Sequence, residues 1–389
     1  MNTKIYCLSF FTLLASLAYG QSNPVRILNN ISLPKDTVIK EALLRSLDGF
    51  LRSKDSAIAG NGFVSKADLL ETSLLTDEMK GIEKNTRYNS SNFYKPYLTN
   101  VIQTDERTYL LQLSYIGTRE DTAMLRGNFK LLARQEADRF IFLSPLSTNA
   151  MLWKTHRMDN VVFRYKEKIN LEEAKKLQQM IAYYDKKIGA PRQQIRFYCC
   201  DDFEEALKLI GVEYKAIYNG YNHLSLYTCH NNQTLIVSGM ANRTGFNEFD
   251  PHDLWHDRLH NMYPTGIINR AVDEGCAYLY GGSWGIEWKE ILAAFRDYAA
   301  KNEHADWLAL YTSEQNFVEG TKRLNIAYAI NALIIQQLEK EKGFDAVKTL
   351  LCCGKREKGD ENYFRTLEKV ASISKGMFNS TVDRLIAGR

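Results

Sequence analysis

His252 and His256 stand four residues apart, and Glu274 follows after seventeen more. On a helix that spacing puts both imidazoles on one face at neighbouring turns. Zinc takes neutral imidazole nitrogens and carboxylate oxygens in a tetrahedral arrangement, and a catalytic site leaves one position for water. Two histidines on one rigid element and a glutamate from the next therefore form a candidate zinc site. Cys276 lies two positions beyond Glu274, so on a helix it points away and is a poor ligand. His256 and His260 repeat the four-residue spacing, so His252, His256 and His260 share one stripe.

These side chains need two adjacent helices. Asp250 and Pro251 suit the N-cap and first position of the helix carrying the histidines, which places Asp253 in its first turn, where a carboxylate favours the helix dipole. Glu274 is followed by Gly275 and Ala277, small enough for a second helix to approach closely. Upstream, VVFRY reads as a strand from Val161. A helix follows over Leu171–Ile188, capped by Asn170 with Glu173 three residues on and stopped by Gly189 and Pro191. Ile195 to Cys200 is a strand, Phe203 to Ile210 a short helix, and residues 224–229 and 234–239 are strand-like. Beyond Tyr280 the pattern is helical. Leu324, Tyr328, Ala332 and Ile335 run along a long helix ending before Gly343, with shorter amphipathic pieces at Phe344–Leu351, Tyr363–Val370 and Phe378–Ile386. The order predicts an α+β domain with its helices gathered at the C-terminal end.

The block His252-Asp253-Leu254-Trp255-His256 with Glu274-Gly275-Cys276-Ala277 resembles the gluzincin type of zincin, in particular the peptidase MA-like domains. That family carries H-E-x-x-H on one helix and a zinc-binding glutamate in an E-G-x-A segment on the next. The resemblance covers roughly residues 155–389. It implies a zincin-like fold, zinc held by His252, His256 and Glu274, and a peptide or protein substrate. The interval to Glu274 favours the first histidine pair and leaves His260 a supporting or packing residue. Asp253 stands where the family has the glutamate that serves as general base toward the metal-bound water, so it is the candidate base; its side chain is one methylene shorter. Tyr328 lies on the long helix that packs near the site in that family. It is a candidate for steadying an oxyanion, with core packing as the alternative. Asp273 is either a carboxylate supporting a ligand histidine or a helix-start residue. The aspartate in place of glutamate also fits a different class, an inactive zincin-like binding module for a peptide, glycan or protein.

The remaining sequence supplies context. Residues 24–150 read as a separate α+β domain of unknown role, with an amphipathic helix over Asp36–Arg52 and an antiparallel meander from Phe93 to Leu143. Ser144 to Asn160 reads as a linker. Lys4 followed by IYCLSFFTLLASLAYG reads as a secretory signal peptide, cleaved near Gly20 and too short to span a membrane, so the protein is expected to be exported, periplasmic or extracellular, with no stable membrane span. Six cysteines remain after Gly20, enough for one to three disulfides or for buried thiols. Apolar residues at 45% and charged residues at 25% mark a folded protein. A formal charge of +4 over 389 residues, without a dense basic block, argues against nucleic acid as a partner.

Overall fold

The computed structural model describes residues 25–216, 225–239 and 249–388; the leader assigned to the first twenty residues lies outside them. The protein has the α+β composition expected and divides into two compact units. One comprises the residues up to Thr148 together with the segment starting at Lys208; the other is Asn149–Leu207 and the residues that follow that segment.

The first unit is helix on sheet. Its elements are β1 (Arg26–Ile27), α1 (Thr37–Ser53), α2 (Leu69–Met79), β2 (Lys95–Gln103), β3 (Thr108–Arg119), β4 (Thr122–Glu136) and β5 (Arg139–Leu143). Asp36 caps α1 by accepting from the Val38 and Ile39 amides, and Leu43, Leu47 and Phe50 form its buried stripe. Strands β2 to β5 make the antiparallel meander, with Leu111, Leu113, Phe129 and Leu131 alternating into the core. Two elements were not legible. Strand β1 pairs parallel to β2, and α2 is buried nearly all round, so it lacks an amphipathic period.

A single turn, α3 (Leu146–Asn149), and two strands, β6 (Lys154–Met158) and β7 (Val161–Tyr165), follow. The segment read as a linker thus contains a strand. Met158 pairs with Val161 around Asp159-Asn160, and Asp159 has φ +52°, a two-residue hairpin turn of the kind that favours Asp and Asn. Next come α4 (Leu171–Ile188), β8 (Gln194–Cys199), α5 (Phe203–Ile210), β9 (Val212–Lys215), β10 (Ser225–His230) and β11 (Gln233–Ser238). Strand β9 belongs to the first unit, pairing antiparallel with β4 from Gly127 to Phe129. The expected second domain, 155–389, is therefore interrupted. Four residues are too few for periodicity to reveal a pairing partner more than 80 residues away.

The second unit's sheet has the order β10-β11-β8-β7-β6, parallel at β7-β8 and β8-β11 and antiparallel at both edges. Its helical half holds α6 (Pro251–Met262), α7 (Arg270–Gly281), α8 (Trp288–Lys301) and α9 (Trp307–Thr312), the two-stranded β12 (Asn316–Val318) and β13 (Leu324–Asn325), then α10 (Ile326–Lys342), α11 (Phe344–Leu351), α12 (Glu361–Ala371) and α13 (Phe378–Ile386). Helix α10 is buried along most of its length and packs on α7. Helix α4 turns Ala174, Leu177, Ile181, Tyr184 and Ile188 into the same core as Trp255 and Leu259 of α6. Arg258 of α6, 1% exposed, forms a two-pronged ion pair with Asp185 of α4 at 2.7 and 2.9 Å. The six described cysteines are free, and Cys199, Cys200 and Cys276 are buried.

Candidate metal centre

Helix α6 starts as its residues dictate. Asp250 accepts the His252 amide at 2.8 Å, and Pro251, which has no amide hydrogen to leave unpaired, takes the first helical position. This fixes the register in which His252 and His256 face α7. Two glycines then let the helices close. A Cβ on Gly281 would meet the His252 amide nitrogen and the Pro251 carbonyl at 2.7 Å, and one on Gly275 would meet Asn331 Cβ of α10 at 2.5 Å. From α4, the Tyr184 hydroxyl reaches the carbonyls of Pro251 (3.0 Å) and Tyr280 (3.2 Å), tying the start of α6 to the end of α7.

The result is a triangle of atoms. His252 Nε2 and His256 Nε2 are 3.2 Å apart, and Glu274 Oε2 lies 3.5 Å from the first and 3.9 Å from the second. Donors held about 2.0–2.1 Å from a tetrahedral zinc stand about 3.3–3.4 Å apart, so this triangle has nearly the size of one tetrahedral face. Hydrogen bonding behind the rings decides what these atoms want. His252 Nδ1 contacts the Gly282 carbonyl at 2.7 Å, and His256 Nδ1 contacts Asp273 Oδ1 at 3.0 Å. Both partners only accept, so each Nδ1 carries the hydrogen and each neutral ring presents a lone pair at Nε2. Two nitrogen lone pairs and a carboxylate oxygen thus converge on one point, which calls for a cation. Burial disfavours protonating His252, yet Glu274 and the Gly282 carbonyl outweigh it and raise the imidazole above its usual value. The donor set fits zinc in type, number and separation.

Asp273 is the support beneath. It is buried, and its Oδ1 also accepts from Trp255 Nε1 at 3.0 Å, while Oδ2 accepts from His260 Nε2 at 3.0 Å. Burial pushes its carboxyl up, but the two histidines overcome this and bring it down to about 2. His256, His260 and Asp273 also bring donor atoms together. In that group, however, both carboxylate oxygens are already occupied by donors, so the group acts as a brace. His260 lies outside the His252, His256 and Glu274 triangle and bonds the brace. Cys276 is buried away from the ligand atoms.

His252 and Glu274 open onto a cleft of about 1040 Å³ that Asp253 and Tyr328 also line. Asp253 is exposed on the first turn of α6. Desolvation in the cleft is the largest influence on its carboxyl and raises it, with the Asp250 charge adding and His252 and His256 opposing. Tyr328, half-buried, makes an edge-on ring contact with Tyr278 at 5.6 Å. Its hydroxyl is raised by desolvation and by Glu274, with Arg270 opposing. His252, His256 and Glu274 thus converge, and Asp253 and Tyr328 share a cleft with His252 and Glu274. Sequence reasoning missed the Gly282 carbonyl behind His252, since a backbone partner has no residue signature. It also missed Lys322, Arg323 and Trp284 on the cleft wall, which arrive from a distant hairpin and turn.

No model of a known protein family matches the sequence, and no curated protein matches it either.

Proposed function

We propose that this protein is an exported zinc-dependent metallohydrolase, a peptidase acting on a peptide or protein substrate, with zinc held by His252, His256 and Glu274. The observation that carries the reading is the convergence of three lone-pair atoms, two of them on residues that line a cleft, each fixed from behind or by its helix. Bound zinc supplies acidification of a water toward neutrality. Asp253, the only carboxylate of the first turn of α6, lines the same cleft as His252 and Glu274 and would serve as the base toward a water held there. Tyr328 is a donor on the same wall for charge that develops on a substrate carbonyl. Asp273 and the Gly282 carbonyl keep both imidazoles in the tautomer that leaves Nε2 free. Export rests on the N-terminal leader.

The protein is expected to purify with stoichiometric zinc and to cleave members of a peptide library, and a chelator is expected to abolish cleavage until zinc is restored. His252→Ala and Glu274→Ala should each lose the metal. Asp253→Asn should keep it while turnover falls by about 10²- to 10⁴-fold, the range of a general base. A wild-type protein that takes up no stoichiometric zinc would overturn this function.

One observation favours a second reading, a zincin-like binding module. Asp253 sits where any helix start favours a carboxylate, and its short side chain gives less reach than glutamate. That reading expects a zinc-loaded wild type that cleaves nothing and an Asp253→Glu variant that gains hydrolysis.

A further inference from the structure

The charges lining the cleft are Asp250, Asp253, Glu274, Glu314, Lys322 and Arg323. Three of the four carboxylates have a partner or a place in the candidate metal group. Asp250 caps α6 through the His252 amide, Glu274 belongs to the candidate metal centre, and Asp253 carries the base role proposed above. Glu314 is paired with Arg356, whose Nη2 also holds Asp360 at 2.8 Å. Lys322 and Arg323 differ: both are exposed, and neither has an ion-pair partner among the described residues. Their backbone is nevertheless fixed. The Arg323 carbonyl accepts from Trp284 Nε1 at 3.0 Å, β13 begins at the next residue and pairs with β12, and the Asn325 amide donates to the Tyr278 hydroxyl at 3.1 Å. Trp284, Tyr278 and Asn325 line the same cleft. Two cations without an ion-pair partner among the described residues are therefore held on the lining of a concave site. Unpaired cations on the lining of a cleft attract ligand groups of the opposite sign.

We propose that Lys322 and Arg323 select peptides bearing a free carboxylate, an Asp or Glu side chain or the C-terminus, next to the bond presented at the metal centre. This rests on reading the cleft as the substrate site. Arginine suits the task because its planar fork pairs two-pronged with a carboxylate, and lysine adds a mobile point charge.

The test is binding, which is readable whether or not hydrolysis occurs. Fluorescently labelled peptides that differ only in Glu, Gln or Lys at one position, each as free acid and as C-terminal amide, are titrated against the zinc-loaded full-length protein. The Glu peptides or the free acids should bind about tenfold more tightly than their neutral counterparts, and the gap should narrow with salt. The Glu-against-Gln arm reports recognition of an acidic residue and the acid-against-amide arm recognition of a C-terminus. Lys322→Glu with Arg323→Glu, both exposed and therefore compatible with folding, should abolish the preference and shift it toward the Lys peptides. Equal binding of charged and neutral peptides, or a preference that survives the double reversal, would overturn the proposal. Preferential binding without zinc uptake or cleavage would remove the hydrolase and leave the selectivity standing.

Discussion

Asp273 holds Trp255, His256 and His260 through two oxygens, so the orientation of one proposed zinc ligand depends on a residue outside the proposed donor set. Asp273→Ala should lower zinc affinity by about 10- to 100-fold, the usual effect of removing a ligand's supporting carboxylate. Competition with a chromophoric chelator measures it. His260→Ala removes one donor to Oδ2 and leaves the His256 contact in place, so its zinc affinity should stay close to wild type. If both variants bound zinc like wild type, the brace would have no bearing on the site.

At the scale of elements, the centre depends on how closely α7 approaches its neighbours. Gly281 meets backbone atoms of α6, which cannot rotate away as a flexible side group does, so Gly281→Ala must displace one helix from the other. Overpacking of this kind destabilises by about 1–3 kcal/mol. Because the displaced atoms include the His252 amide nitrogen, Gly281→Ala should also lose the extra stability expected of zinc at the proposed centre. Gly275→Ala should be similarly destabilising through α10, whereas Gly266→Ala, with open space around its Cβ, should be near neutral. Urea unfolding with and without a chelator separates the two effects.

Across the whole molecule, two long-range links set stability. The buried Arg258–Asp185 pair ties α6 to α4, and breaking such a pair from one side costs about 3–5 kcal/mol. Burial is the largest influence on Asp185 and raises its carboxyl, with Arg258 opposing. In Arg258→Met only the raising influence is left, so the folded-state carboxyl titrates further above its unfolded value. The variant should be most destabilised near neutral pH, where Asp185 is buried as an unpaired carboxylate. The deficit should shrink as pH falls through the raised folded-state value toward the unfolded one, because the acid is then neutral in both states. Denaturant midpoints across pH 4–7 would show it. The second link is β9, which covers part of β4 from a distant point in the sequence. A fragment ending at Thr148 should self-associate through that bared edge, and one extended to carry residues 208–216 in the same polypeptide should not. Sedimentation compares the two.

Local chemistry was legible wherever a few neighbouring residues decide the outcome. Asn170 and Gly189 bound α4, Asp250 and Pro251 start α6, and a four-residue histidine spacing needs only helical geometry to put two imidazoles together. Glu274 and Asp273 could be named as candidates because they fall on the next helix. Spacing within α6 does not separate the two histidine pairs, and only the interval to Glu274 favoured the first. The packing of α7 against α6 puts Glu274 beside His252 and His256, and Asp273 beside His256 and His260. The same limit hid α2, whose all-round burial erases periodicity, and β9, which is too short to carry a pattern of its own. It also hid the Gly282 carbonyl and the pair of cations on the cleft wall. Spacing along a polypeptide fixes what one element presents, and only the docking of elements decides which lone pairs and charges meet.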